Sequence, residues 1–172
     1  MKVSLEARLL SASKKKDVER LKDVFSDIYL TYKGLVAFTI YPIISNPSII
    51  DDIVDDTFLH FYQYALNHVV NNIKSFLVTT SRNLSLNYIK KYNDTSLDRD
   101  IESHGDDSSS SISSYISDIR SEIGEESYNL LYGYYVLEMS SKELANKYHL
   151  SSSGLRMRIK RIKSTIRKKY GG

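Results

Sequence analysis

The chain has 172 residues, 41% of them hydrophobic and 26% charged, which fits one ordinary globular domain or two small ones and excludes a wholly disordered chain. No apolar run reaches the ~18 residues that span a bilayer, so no membrane insertion is expected, and the absence of cysteine excludes disulfides, zinc fingers, iron–sulfur clusters and thiol nucleophiles. The net charge of +3 is unevenly spread: residues 92–117 carry one basic and six acidic side chains, 118–138 one and five, and 139–172 ten and one, so a polyanionic partner is expected for the C-terminal end.

Glu6 and Arg8 interrupt any apolar core at the start, so no secretion signal is expected and a cytoplasmic location is. Two prolines and seven glycines favour long helices over a turn-rich β protein. Val18, Leu21, Phe25, Ile28, Tyr32, Leu35 and Val36 recur at helical steps, and Pro42 and Pro47 end that helix and the turn after it. Ser48 then reads as an N-cap, with Ile49, Ile53, Phe58, Phe61 and Ala65 along an apolar stripe. A polar break at Asn67-His68 to Asn71-Asn72 precedes a third helix through Ile73, Phe76, Leu77, Thr80, Leu84 and Tyr88.

From Ser103 to Ser117 eight of fifteen residues are serine, and no apolar period survives. Such a stretch cannot offset its ordering entropy by burial, which predicts a flexible linker. Tyr128, Leu131, Tyr135 and Val136 then mark a helix. Ser140 or Ser141 caps a second, with Leu144, Ala145 and Tyr148 apolar, and a third follows His149-Leu150-Ser151 with Leu155, Ile159, Ile162 and Ile166 facing inward. The expected fold is all-α: two small helical domains, residues 1–91 and 121–172, joined by an acidic, serine-rich linker over 92–120.

Catalytic machinery is not expected, and neither a cofactor nor a metal is. His60, His68, His104 and His149 form no metal-binding pair, and the scattered glycines form no phosphate loop. Asp52 shares a helix face with Asp55 or Asp56, a conceivable metal site, but a solvated or partner-facing acidic surface is the expectation.

Residues Ser141 to Ile159 match a helix-turn-helix. Ala145 is small enough for a second helix to cross closely, His149-Leu150-Ser151 supplies the turn, and Leu155 and Ile159 pack back. His149 stands where the turn usually has glycine, and histidine tolerates the positive φ needed there. Arg156, Arg158, Lys160, Arg161 and Lys163 spread over the other faces of the last helix. Arginine can read guanine with two hydrogen bonds, and lysine neutralises phosphate, so duplex DNA is the expected partner.

Two further segments extend this. Ile50-Asp51-Asp52-Ile53-Val54-Asp55-Asp56-Thr57-Phe58-Leu59, and Ile73-Lys74-Ser75-Phe76-Leu77 followed by Ser81 to Lys91, resemble the two region-2 helices of bacterial sigma factors. Leu144-Ala145 through Leu150-Ser151 to Leu155–Arg161 resembles their region-4 helix-turn-helix. Size and two-lobe layout resemble the extracytoplasmic-function group of the sigma-70 family. Three positions depart: Asp55 replaces the usual glutamine, Phe76 a tryptophan and Gly154 a threonine. Phe76 is expected in the core.

The resemblance implies a non-enzymatic sigma factor that directs core RNA polymerase to promoters and assists initiation. It implies that Asp52, Asp55, Asp56, Phe58 and Leu59 dock on the clamp helices of the polymerase β′ subunit. It implies contacts to the −10 element from Asn67, His68, Asn71 and Asn72, which would hold an extruded base, and from Arg82, Asn83, Asn87, Lys90 and Lys91. It implies reading of the −35 element by Ser151, Ser153, Arg156, Arg158, Lys160 and Arg161, with the β flap as a second polymerase contact. An anti-sigma factor is a further candidate partner. Two other classes stay open: a polymerase-independent helix-turn-helix regulator, and a helical interaction module whose basic tail binds acidic surfaces.

Overall fold

A computed structural model describes residues 3–15, 17–44, 46–95 and 112–170. Among the described residues there are eight α-helices and no strand, so the protein is all-α. They are α1 (Leu5–Lys15), α2 (Val18–Ile40), α3 (Pro47–Asn67), α4 (Ile73–Thr95), α5 (Ile112–Ile123), α6 (Glu125–Tyr135), α7 (Ser141–Lys147) and α8 (Ser152–Tyr170). They cluster into two compact units that divide between Ser113 and Ser114, so α1–α4 form one and nearly all of α5–α8 the other. None is long and apolar enough to cross a membrane.

In the first unit α2 is the central rod, packed by α1, α3 and α4. Its start is fixed by Asp17, whose carboxylate accepts from the Arg20 N–H at 3.1 Å, satisfying one of the free donors of the first turn. Ile28, Val36, Ala37 and Ile40 of α2 are fully buried against Ile50 and Phe61 of α3 and Ile73 and Leu77 of α4. Phe61 meets the rings of Phe25 and Phe76 edge-on at 5.8 and 5.5 Å. Ser81 and Ser85 lie fully buried on α4, their hydroxyls bonded back to the carbonyls of Val78 and Ser81. Small side chains there let α4 lie close, and the backbone bonds remove the cost of burying a hydroxyl.

The cap of α3 is not Ser48. Asn46 takes that role, its side chain accepting from the Ser48 N–H at 3.0 Å with Pro47 in the first turn. Proline is preorganised for that place and forfeits only an N–H that would have no partner. Helix α1 precedes the first helix that the apolar spacing predicts; Leu9 and Ala12 are its buried residues.

In the second unit α7 packs on α8, and α6 lies against both. Tyr128, Leu130, Leu144 and Leu155 form its centre. Gly133 lets α7 approach α6: a Cβ there would lie 2.9 Å from Leu144 Cδ2 and 3.2 Å from Met139 Sδ. Helix α5 corrects the reading of 92–120 as linker, because its residues from Ile112 onward are helical and bury Ile116 and Ile119. The apolar signal is a short Ile112, Ile116, Ile119, Ile123 stripe hidden among serines. Helix α4 likewise runs on to Thr95, and the rest of the expected linker, 96–111, lies outside the described residues.

Candidate nucleic-acid interface

The second unit holds a helix-turn-helix built from α7, a four-residue turn and α8. Ser140, not Ser141, caps α7. Its Oγ accepts from the Glu143 N–H at 3.2 Å while Glu143 accepts from the Ser140 N–H at 2.8 Å, a reciprocal pair at the helix start. The Ser140 hydroxyl, which also lies 2.6 Å from the same carboxylate and donates to it, and then the Ser140 N–H hold the Glu143 carboxyl below its usual range. Leu144 and Ala145 are buried. In the turn the Leu150 N–H reaches back to the Ala145 carbonyl at 2.8 Å, and His149 adopts φ 52°.

That left-handed backbone costs a non-glycine residue about 1 kcal/mol, partly offset by the smaller entropy histidine loses on folding. His149→Gly is therefore expected to stabilise this unit by about 0.5 kcal/mol. Slower amide exchange at Leu144 and Leu155 would register it.

Helix α8 buries Leu155, Ile159 and Ile162 and half-buries Ile166. Ser153, Arg156, Lys160 and Arg161 are exposed, with Met157, 52% exposed, between them. No ion pair holds Arg156, Lys160 or Arg161 among the described residues. Arg156, Lys160, Lys163 and Arg167 form one edge of α8 and line a groove with Tyr134 and Ser141. Two expected readers have other work. Ser151 accepts from the Gly154 N–H at 3.0 Å and so caps α8. Arg158 is half-buried and paired with Glu126 at 2.7 Å.

The polar break expected between α3 and α4 is a loop over residues 68–72. Asn67, His68, Asn71 and Asn72 are all exposed there. Asn72 also accepts from the Ser75 N–H at 2.9 Å, which fastens the start of α4. His68 stacks on Tyr64 with ring centroids 4.3 Å apart, and its Nδ1 lies 3.1 Å from the Tyr64 carbonyl. A pocket beside the loop is lined by Tyr64, Val69, Asn71, Asn72, Phe76 and Thr80, among others. Phe76 is thus only half a core residue: it packs on Phe61 and also borders this pocket.

At 100° per residue, Asn83, Asn87 and Lys90 continue along α4 from the side of Phe76, whereas Arg82 projects about a third of a turn away. All four are exposed, as is Lys91. Tyr64 is not singled out by the sequence reading, and Thr80 only as a stripe position of the third helix. Tyr64 sits one helical turn before His68, a spacing that could have flagged it.

On α3, Asp52, Asp55 and Asp56 are exposed, Leu59 is 52% exposed, and Phe58 is half-buried against Tyr29 at 4.7 Å. Tyr62 and Leu66, exposed by 41% and 46%, extend the same side as Asp52, Asp55 and Leu59. The result is a ridge, acidic at one end and apolar at the other. The i, i+3, i+7 spacing of Leu59, Tyr62 and Leu66 is a second stripe beside the buried one and was legible in the sequence. The phenol of Tyr29 is pushed up chiefly by its burial, then by the neighbouring Asp55 and Asp51 carboxylates. No group of three or more metal-ligating side chains gathers among the described residues.

The chain matches no family model and no curated protein.

Proposed function

We propose that this protein is a bacterial sigma factor of the sigma-70 family, of the two-domain extracytoplasmic-function type. In this reading the α5–α8 unit reads the −35 element through the outward face of α8. The α1–α4 unit binds core polymerase by the α3 ridge and engages the −10 element by the 68–72 loop and α4. The segment between them is the linker. The protein acts as a non-enzymatic subunit in the cytoplasm.

The observation that carries the reading is the helix-turn-helix with an exposed cationic face on α8. The first unit supplies what a free regulator does not need. Its acidic and apolar ridge suits a basic partner helix. Its loop pocket joins aromatic faces to asparagine amides, the chemistry that stacks and reads an unpaired base. Among the residues assigned to the −35 element, Ser151 and Arg158 are the weakest because each is committed within the fold.

The test is gel filtration of the full chain with bacterial core RNA polymerase at physiological salt. A stoichiometric complex is expected. If a known sigma factor binds the same polymerase and this chain does not, the sigma reading fails and a free helix-turn-helix regulator takes its place.

A further inference from the structure

Helix α8 is held along one flank by acids from its own unit. Arg158 Nη2 lies 2.7 Å from Glu126 Oε2, and its Nη1 donates to Glu126 Oε1 at 3.2 Å, a two-pronged pair. The same guanidinium sits 5.8 Å from the ring centre of Tyr148, the residue that closes α7. Lys169, near the other end of α8, pairs with Glu122 of α5. Residues 158 and 169 are three turns apart, so they share a flank to within about 20°. Arg120 of α5 forks onto Glu125 at 2.7 Å, so three acids of residues 118–138 each hold a cation of this unit.

We infer that Arg158 is a positioning residue that sets the pose of α8 through Glu126 and Tyr148 and makes no contact with DNA. The inference rests on the DNA-reading role given above to α8. Arg158 joins three elements at once: the first turn of α6, the end of α7, and α8. It thereby fixes the rotation of α8 about its axis, and with it the direction in which Arg156, Lys160 and Arg161 project. A phosphate at this guanidinium would have to share it with the Glu126 carboxylate, like charge beside like. The charge-assisted bonds also hold the Glu126 carboxyl below its usual range. The cations of α8 thus divide into a clamped flank and a free face, although the sequence shows one undivided basic run.

The experiment uses the full chain and a duplex that it selects from a random pool, with affinity measured across a salt series. Arg158→Gln is expected to weaken binding three- to tenfold at an unchanged slope of log K against log salt. Arg161→Gln should lower that slope by about 0.9, the signature of one lost phosphate contact. Glu126→Gln should weaken binding as Arg158→Gln does. Arg158→Lys, which keeps the charge but loses the fork, should fail to restore it. Circular dichroism melts of each variant verify that it is folded. A slope drop of about 0.9 in Arg158→Gln, a gain in affinity in Glu126→Gln, or full rescue by lysine would each overturn the inference. Selection of no duplex at all by the unmodified chain would overturn the DNA reading itself, and this role with it.

Discussion

Replacing Arg156 and Arg161 together by alanine is expected to weaken binding of the cognate duplex by about thirtyfold or more. The two side chains bracket the outward face of α8 on either side of Met157, and both are exposed. A guanidinium that meets a guanine edge with two hydrogen bonds supplies ~1–3 kcal/mol of discrimination, so losing two costs roughly 2–6 kcal/mol. The slope against salt should fall by about 1.8 if both charges also neutralise phosphate. Folding should barely change, because neither side chain belongs to the core, and exposed substitutions usually move stability by under about 0.5 kcal/mol. Fluorescence anisotropy over a salt series, beside a thermal melt, measures both. Binding within twofold of the unmodified chain would mean that α8 is not the reading element.

The helix-turn-helix was legible because three local rules agree there. Ser140 and Glu143 write a cap, Ala145 permits a close crossing, and the Leu155, Ile159, Ile162 stripe has one period. The first unit was legible for the same reason: α2, α3 and α4 each bury one stripe at helical spacing. What escaped is what local pattern does not encode. Composition in the 103–117 stretch says disorder, yet four isoleucines give α5 one apolar edge, and tertiary packing of Ile116 and Ile119 overrides the serines. The α3 cap fell to Asn46 because Pro47 is better placed in the first turn than before it.

Site residues were legible as residue types but not as partnerships. Charge alone made Arg158 equivalent to Arg156, and only the fold brings Glu126, 32 positions away, to its guanidinium. Ser151 reads equally well as a donor to phosphate or as a cap; in the structure it caps Gly154. Asn72 has the same double meaning. Buried stripes announce themselves by period, whereas the exposed Leu59, Tyr62, Leu66 stripe was overlooked beside the stronger buried one on the same helix.

Charge reversal at Asp52 and Asp55, each to lysine, is expected to lower retention of core polymerase about a hundredfold and leave duplex binding by α8 unchanged. Both carboxylates are exposed, and they share one side of α3 with Leu59, Tyr62 and Leu66. A partner that fits an acidic and apolar ridge must offer basic and apolar side chains. Reversal would put lysine against those cations, and like-charge juxtaposition at an interface costs several kcal/mol. Stability should fall by no more than about 1 kcal/mol, since Asp52 and Asp55 are both exposed and Tyr29, beside Asp55, is exposed as well. The Tyr29 phenol offers an internal control. Replacing Asp55 removes one of the negative charges that raise it, so its ionisation should begin at lower pH, and ultraviolet titration can follow it. Polymerase pull-down and duplex anisotropy on the same preparation then separate the two surfaces. The α3 variant should lose only the first activity and the α8 variant only promoter recognition. Parallel loss of both in either variant would mean that the two units do not divide the work in this way.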